Sequence, residues 1–455
     1  MISLPLSVAG NILGVEQTLP DECFKGVTTD SRDLCQGKLF FALSGENFDG
    51  HEFVDSAWKK GAVAAVVTRP VESGILQLQV DDCIQAMARL ALDWRRRCNP
   101  CVIALTGSNG KTTVKEMLTR ILSGTAVTHA TRGNFNNEIG VPLTLFDLTE
   151  DHHYAVIEMG ANHRGEIARL TKIAEPDVVY INNAAAAHLA GFGDIEGVIE
   201  AKGEIYDYCK AEHRALFNVD ETAAAYWRSR CAAQTQLTCS LDGHADLTAD
   251  WQACAGGIEV EFAYDDEVFS AGLQVMGEHN ARNALAAVGL AVLAGVKFRD
   301  AVSHLEGFRG VKGRLQSIVG PSRSRLIDDS YNANPGSLMA GVKVLCALDG
   351  SAWLALGDMG ELGEDAAEFH RQCAKSARDI GVERLFGIGE MSCLASREFG
   401  ETGYCYTSID AMAEAILGQI HPEVNLLVKG SRAIGMEQLV ERLAGARDAG
   451  EANVI

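Results

Sequence analysis

A short run of glycine, lysine and threonine residues carries the strongest chemical signal in the chain. The stretch TGSNGKTT, residues 106–113, follows an apolar run and opens a helical pattern. Glycines let backbone N–H groups turn inward, and a helix N-terminus adds partial positive charge, so such a loop can enclose phosphate oxygens. We predict a nucleotide-phosphate loop built from Gly107, Ser108, Asn109, Gly110, Lys111, Thr112 and Thr113. In it Lys111 reaches the β- and γ-phosphates, and Thr112 ligates Mg²⁺.

The loop departs from the common phosphate-loop template at one position. The template places a glycine five residues before Gly110, where this chain has Leu105, so the match is GxxGKT. The alternative is a chance glycine turn before a helix. The strand before the loop and the helix after it favour phosphate binding.

Three further polar residues follow predicted strands near the loop. Glu158 ends the apolar run YAVIEMG at 154–160, and the ends of parallel strands line one crevice, so we predict that Glu158 ligates the same Mg²⁺. A glutamate at a strand end is otherwise usually a solvated or capping residue. His188 and Lys202 come after the strand predicted at 177–183. Taken singly, such residues are more often structural or exposed than catalytic.

Apolar strands alternate with helical patterns along most of the chain, which is typical of parallel sheets with helical crossovers. We predict an α/β protein of three domains, 1–85, 86–312 and 313–455. The predicted strands lie at 38–45, 62–67, 101–107, 154–160, 177–183, 325–329, 352–357, 384–388 and 425–429, with antiparallel hairpins at 231–276 attached to the central parallel sheet. The predicted helices lie at 88–101 (ending at Pro100), 111–123, 279–295, 336–348, 364–379, 408–419 and 435–444. The last series indicates a smaller, Rossmann-like, doubly wound domain.

Composition narrows the class of protein. The 455 residues carry a formal net charge of −21, which argues against nucleic acid as a partner. The start lacks a basic secretory region and no apolar run approaches a membrane span, so we expect a soluble cytoplasmic protein without a membrane partner. The thirteen cysteines have no framework or zinc-ligand spacing, Cys98 and Cys101 included, and indicate reduced structural thiols.

Several motifs in order resemble the Mur ligase family, whose members add amino acids to the peptide of the bacterial cell-wall precursor. The matching pieces are TGSNGKTT at 106–113, IEMG at 157–160, AHLAGF at 187–192, AKGEIY at 201–206, GEHNARNALAA at 277–287, GR at 313–314 and KGSRAIGME at 429–437. The resemblance covers nearly the whole chain and implies an ATP-dependent, amide-bond-forming ligase.

The two ends of the chain resemble one branch of that family. TTDSR at 28–32 and GKLFFALSGENFDGHEF at 37–53 are similar to the family's uridine-nucleotide module, and DDSYNANPGSLMAG at 328–341 is similar to the dipeptide-adding members. The resemblance therefore implies ligation of D-alanyl-D-alanine to UDP-N-acetylmuramoyl-tripeptide through an acyl phosphate, giving the pentapeptide precursor of peptidoglycan. It also implies a monomer.

The resemblance also implies residue roles. His188 would help to hold a second Mg²⁺, Lys202 would be carbamylated, and Arg314 would reach the ATP phosphates across a domain junction; with Lys111 these are the expected catalytic residues. Further nucleotide contacts near the adenine are expected from His279, Asn280 and Asn283. Asp328 or Asp329, Tyr331 and Asn332 are expected to face the nucleotide or the incoming dipeptide. Lys429 and Ser431 are candidates for the dipeptide carboxylate. Asn280 and Asn283 would otherwise be a helix cap and a packing residue.

Five residues of the first domain are candidates for the uridine diphosphate: Ser31, Arg32, Asn47, Asp49 and His51. Hydroxyl, guanidinium and turn amides suit a diphosphate. The alternative is that NFDGH is simply a polar turn.

Three other functions stay open. The chain could be another amino-acid-adding Mur ligase, although the run DDSYNANP argues against that function. It could be a ligase like folylpolyglutamate synthase, which lacks the uridine module. From a different class, it could be a regulatory switch that binds nucleotide without ligating anything.

Overall fold

The computed structural model describes residues 1–45, 48–185, 189–254 and 256–451, and the chain forms three α/β units. Two predicted site residues, Asn47 and His188, lie outside the described residues.

The amino-terminal unit is built on a small parallel sheet in the order β3-β4-β7-β8, with antiparallel pairs β1-β2 and β5-β6 beside it. Its strands are β1 Ser3–Pro5, β2 Cys23–Lys25, β3 Val27–Thr28, β4 Leu39–Phe41, β5 Ser44–Gly45, β6 Phe48–Asp49, β7 Ala64–Val67 and β8 Leu76–Gln79, and its helices are α1 Leu6–Leu13, α2 Val54–Lys59 and α3 Cys83–Cys98. Helix α3 begins earlier than predicted because Asp82 caps it, accepting from the N–H groups of Ile84 and Gln85. It ends before Pro100, where Asn99 turns left-handed.

The central unit is a nine-stranded sheet in the order β10-β11-β9-β12-β13-β14-β15-β16-β17. Its strands are β9 Cys101–Thr106, β10 Thr128–Ala130, β11 Tyr154–Glu158, β12 Val178–Ile181, β13 Arg214–Asn218, β14 Thr235–Ser240, β15 Leu247–Cys254, β16 Gly257–Tyr264 and β17 Glu267–Leu273. Its helices are α4 Lys111–Ser123, α5 Gly140–Phe146, α6 Glu166–Ala174, α7 Leu189–Phe192, α8 Ile195–Asp207, α9 Ala224–Arg230, α10 Glu278–Leu293 and α11 Phe298–Leu305. Because β9 lies between β11 and β12 and runs parallel to both, the loops after these three strands meet at one edge.

The antiparallel strands predicted at 231–276 continue the central sheet. β14 pairs in parallel with β13, and only β15, β16 and β17 form antiparallel hairpins. The sheet therefore changes from parallel to antiparallel at β15.

The carboxy-terminal unit is a six-stranded sheet in the order β18-β19-β23-β20-β21-β22, with only β18 antiparallel. Its strands are β18 Gln316–Val319, β19 Arg325–Asp329, β20 Ser351–Gly357, β21 Arg384–Ile388, β22 Gly403–Tyr406 and β23 Val424–Lys429, and its helices are α12 Pro335–Cys346, α13 Ala366–Ile380, α14 Glu390–Phe399, α15 Ile409–Leu417 and α16 Glu437–Glu451. Apolar clusters pack on both faces of the sheet. The prediction of a three-part α/β protein with a doubly wound last domain is confirmed.

The first two units share one apolar core. A single cluster of buried side chains runs from Phe24 and Leu90 to Val102 and Ile157. The predicted boundary at residue 85 falls inside α3, which packs against α1 as well as α5. The domain limits themselves remain predictions.

The cysteines depart from the predicted pattern at one pair. Cys393 in α14 and Cys405 in β22 form a disulfide, so the prediction of reduced thiols is wrong there. The two residues are twelve positions apart, and the packing of a helix on the next strand brings them together, which spacing alone does not reveal. Cys98 and Cys101 are free thiols.

Candidate active site

The predicted phosphate loop lies between the end of β9 and the start of α4. Gly110 has φ 76°, and a Cβ there would lie 2.5 Å from Asn182 Nδ2 and 2.6 Å from Asn283 Oδ1, so only glycine fits. Lys111 is the first residue of α4, and its ammonium donates to the carbonyl oxygens of Gly107 at 2.6 Å and Ser108 at 3.3 Å. The turn therefore holds the lysine over the loop.

The segment that follows β12 braces this loop. The backbone N–H of Ser108 donates to the Asn183 carbonyl at 3.0 Å, and that of Asn109 donates to Asn183 Oδ1 at 2.8 Å. These two backbone N–H groups are therefore already hydrogen-bonded within the protein. The first N–H groups of α4, at 111–113, have no partner within the helix and give the loop its positive end.

Glu158 offers an oxygen suited to a metal ion. The side chain is 2% exposed, its Oε1 accepts from Asn136 Nδ2 at 2.8 Å, and its Oε2 is buried without a hydrogen-bond partner. A buried carboxylate oxygen left unpaired is costly, and a hard cation satisfies it. Glu158 is paired in register with Leu105 at the end of β9, so this oxygen lies beside the phosphate loop and fits the predicted Mg²⁺ ligand.

Lys202 is buried on α8. The side chain is 2% exposed and its ammonium lies 5.9 Å from the centre of the Phe192 ring. Burial, and secondarily the charge of Lys111, holds the pKa of Lys202 well below its usual range. The cleft therefore favours the neutral, nucleophilic amine.

Arg314 reaches from the carboxy-terminal unit to the phosphate loop. One guanidinium nitrogen donates to Thr112 Oγ1 at 3.3 Å, and the guanidinium carbon lies 3.9 Å from the centre of the Tyr331 ring. The guanidinium therefore lies across the junction beside the start of α4, and its contact with the ATP phosphates stays a prediction.

The start of α10 carries a buried polar cluster. Asn280 donates to the Met276 carbonyl at 2.9 Å, and Asn283 Oδ1 accepts from Asn182 Nδ2 at 3.1 Å. Burial, and then the charge of Lys429, lowers the pKa of His279 to about 4. The helix cap is Gly277 and not Asn280. Both asparagines also line the cleft, and their contact with the nucleotide stays a prediction.

In the carboxy-terminal unit, Asp328 and Asp329 have different surroundings. Asp328 accepts from the N–H and hydroxyl of Ser330, whereas Asp329 lines the cleft and pairs with the buried Lys429 at 2.5 Å. Lys429 also donates to the Asn332 carbonyl at 2.9 Å. Its charge is therefore neutralised within the protein.

The first unit gives its candidate residues local partners. Arg32 is 89% exposed and forms a bidentate pair with Asp30. Asp49 pairs with Arg69 and with His51, whose Nε2 accepts from the N–H of Thr68 at 2.9 Å. These bonds fit the alternative in which NFDGH is a polar turn, and the uridine assignment of Ser31, Arg32, Asp49 and His51 stays a prediction.

A cavity of about 730 Å³ between the central and carboxy-terminal units collects most of the other candidates. Of the predicted residues it is lined by Ser108, Asn109, Gly110, Lys111, Thr113, Glu158, Lys202, His279, Asn280, Asn283, Arg314, Asp329, Tyr331, Asn332 and Lys429. Motifs that are about 320 positions apart in the sequence therefore line the same cavity.

Sequence reasoning missed several amides in this cleft. Asn136 orients Glu158, Asn182 and Asn183 brace the loop, and Asn334 Nδ2 donates to Asn109 Oδ1 at 2.8 Å across the junction. Their position directly after strands or within the run DDSYNANP was the available signal. An amide alone has no chemistry that marks it.

Family models match three successive parts of the chain. Residues 24–95 match the model described as Mur ligase family, catalytic domain; residues 105–291 match the Mur ligase middle domain; and residues 313–432 match the Mur ligase, glutamate ligase domain. The chain belongs to the Mur ligase family. The predicted family, and with it an amide-bond-forming ligase, is confirmed.

Individual relatives match over almost the whole length. The UDP-N-acetylmuramoyl-tripeptide–D-alanyl-D-alanine ligase of Escherichia coli K12 is 39% identical over 97% of this chain and 99% of its own, and that of Bacillus subtilis 168 is 33% identical over 92% and 93%. A crystal structure of MurF from Acinetobacter baumannii has a TM-score of 0.92 at 34% identity, covering 98% and 99% of the two chains. MurF from Thermotoga maritima, solved with ADP, has a TM-score of 0.84 at 26% identity, covering 94% and 98%.

Across the described parts of the chain, no helix has both the length and the apolar character that crossing a bilayer requires.

Proposed function

We propose that this chain joins D-alanyl-D-alanine to UDP-N-acetylmuramoyl-tripeptide at the expense of ATP. The observation that carries the proposal is the cavity in which the phosphate loop, the unpaired oxygen of Glu158, the buried amine of Lys202 and Arg314 meet. The names of relatives that match from end to end supply the substrates. We place the reaction in the cytoplasm.

The reaction has two covalent steps. The terminal carboxylate of the tripeptide attacks the γ-phosphorus of ATP, so an acyl phosphate forms and ADP leaves. The amine of the dipeptide then attacks the acyl carbon, and the new amide forms as phosphate leaves and the nitrogen loses a proton. The first step needs positive charge because a carboxylate must approach a triphosphate, and the second because negative charge develops on the acyl oxygen and the leaving phosphate.

The chain's own residues supply most of that charge. Lys111 and the first amides of α4 face the phosphates, and Arg314 approaches Thr112 from the opposite unit. Thr112 and Glu158 would hold Mg²⁺, which supplies further charge neutralisation when bound. We keep the second Mg²⁺ at His188 as part of the proposal.

We also propose that Lys202 becomes carbamylated. The neutral amine adds to carbon dioxide and releases one proton, which leaves an anionic carbamate. The lowered pKa of Lys202 supports this step, because only the neutral amine reacts. The carbamate would stand beside Lys111, whose charge would then stabilise it.

One assay tests the proposal against its rivals. Phosphate release from ATP is measured with UDP-N-acetylmuramoyl-tripeptide and D-alanyl-D-alanine added singly and together, and the product is weighed by mass spectrometry. The ligase requires both and yields the pentapeptide. Phosphate release that depends on neither substrate would favour the regulatory nucleotide switch. A product formed only with a single amino acid would favour another member of the family.

A further inference from the structure

The carboxy-terminal wall of the cavity carries three cationic side chains: Arg314, Lys429 and Arg432. Two of them are already used. Arg314 contacts Thr112 and Tyr331, and the ammonium of Lys429 is buried against Asp329 and the Asn332 carbonyl. Because Arg314 is assigned to the ATP phosphates and Asp329 neutralises Lys429, a second ligand anion on this wall is left to Arg432.

Arg432 is available for that contact. Its side chain is 65% exposed and forms an ion pair with Glu437 at 3.0 Å, in the turn between β23 and α16. A surface pair of this kind holds a guanidinium weakly. The turn itself is fixed, since the Ser431 N–H donates to the Asp358 carbonyl at 2.9 Å and the Ile434 N–H to the Ser431 carbonyl at 3.1 Å.

The distance from Arg432 to the reacting end of the cavity suits a dipeptide. The guanidinium carbons of Arg314 and Arg432 lie 3.9 Å and 5.9 Å from the centre of the same Tyr331 ring, so they are separated by at most about 10 Å. Arg314 marks the end next to the phosphate loop. An extended dipeptide spans about 7 Å, so an amine at that end leaves its carboxylate within reach of the exposed Arg432 side chain.

We propose that Arg432, and not Lys429, binds the terminal carboxylate of the incoming dipeptide and so selects a dipeptide acid. The inference rests on the proposed function. A guanidinium suits the task because its planar fork can hold both oxygens of a carboxylate. Tyr331 would then separate the arginine that faces the phosphates from the arginine that faces the dipeptide.

The test compares the R432Q, R432K and E437Q variants with the parent in steady-state ligation. We expect R432Q to raise the KM for D-alanyl-D-alanine about 10- to 100-fold, as for loss of a charge-assisted hydrogen bond, and to leave the KM for ATP and for the UDP-tripeptide within about twofold. R432K should be intermediate, because it keeps the charge without the fork. E437Q is the matched control: it removes the ion pair but keeps the guanidinium, so the KM for the dipeptide should not rise.

A second substrate separates a contact from a structural effect. The parent should prefer D-alanyl-D-alanine to its carboxamide, and R432Q should treat the two alike, because the group that distinguishes them is gone. Preserved discrimination in R432Q, or a raised KM for the UDP-tripeptide in place of the dipeptide, would overturn the inference. A folded parent protein that forms no pentapeptide would instead refute the proposed function.

Discussion

At the scale of single residues, the cleft shields two basic groups and one carboxylate oxygen from water. Lys202 and His279 both have pKa values lowered chiefly by burial, and Glu158 keeps one oxygen without a partner. Such groups reduce stability unless a ligand, a metal or a modification meets them. Two predictions follow from the two basic groups.

The first concerns the carbamate on Lys202. We expect K202A to lose ligation at least about 100-fold, as for loss of a charged group in a preorganised site, and added acetate to restore part of it by replacing the missing carboxylate. In the parent enzyme, removal of carbon dioxide should lower activity and bicarbonate should restore it. This dependence should grow as pH falls, because protonation removes the reactive amine. The carbamate would be contradicted if acetate does not restore activity to K202A and bicarbonate does not change the activity of the parent enzyme.

The second concerns His279 and the free energy of unfolding. Its pKa is about 4 in the folded protein and about 6.5 when unfolded, so between these values the unfolded chain binds the extra proton. Stability is therefore retained above pH 6.5 and lost as pH falls towards 4, by about 2 to 3 kcal/mol. We expect H279N to show a flatter pH dependence in denaturant titrations. An unchanged slope would show that the pKa of His279 is not lowered in the folded protein.

At the scale of elements, one buried lysine links the phosphate-loop helix to the strand of Glu158. Lys115 on α4 is 1% exposed and donates to the Thr131 carbonyl at 2.7 Å, while Thr131 Oγ1 accepts from the Glu158 N–H at 3.0 Å. The two proposed metal-binding residues, Thr112 and Glu158, lie at the ends of these elements. Lys115 thus sets the spacing between them.

We expect K115M to leave the Thr131 carbonyl unpaired and to lower the free energy of unfolding by about 1 to 3 kcal/mol. The Mg²⁺ concentration for half-maximal ligation should rise as well, measured well below the melting temperature. E116Q, which alters only the half-exposed carboxylate partner of Lys115, is the control and should leave the Mg²⁺ requirement unchanged. If K115M lowers the free energy of unfolding but leaves the Mg²⁺ requirement unchanged, the role of Lys115 is purely structural.

Elements that are apolar runs bounded by turn residues were predictable, whereas the central strand β13 and helices α6, α8 and α14 were not predicted. Helix α4 and strands β19 and β21 have the predicted bounds. Strands β18 and β22 were missed, since both are edge strands whose residues are mostly half-buried or exposed. In the site, charged residues within motifs were found. Asn334 was not, because its partner Asn109 is 225 positions away and neither amide has a distinctive pattern.

At the scale of the whole molecule, the carboxy-terminal unit meets the phosphate loop through few polar contacts. Asn334 has two tasks in this junction: its Nδ2 donates to Asn109 Oδ1 at 2.8 Å, while its Oδ1 caps α12 by accepting from the Ser337 N–H. Arg314 adds its contact with Thr112. A closed cleft that excludes water protects an acyl phosphate from hydrolysis, so these contacts bear on the yield of the reaction.

The two tasks of Asn334 can be separated by substitution. We expect N334S to retain the helix cap, since serine caps well, but to lose the contact with Asn109. The loss of one hydrogen bond is worth about 0.5 to 1.5 kcal/mol, which lowers the ratio of closed to open molecules about two- to tenfold. X-ray scattering should then show a larger radius of gyration without ligands, and ATP hydrolysis without ligation should increase. S337A disturbs the cap and spares the junction, so it should lower the melting temperature without expanding the protein. Equal radii for N334S and the parent would mean that Arg314 and the ligands suffice to hold the units together.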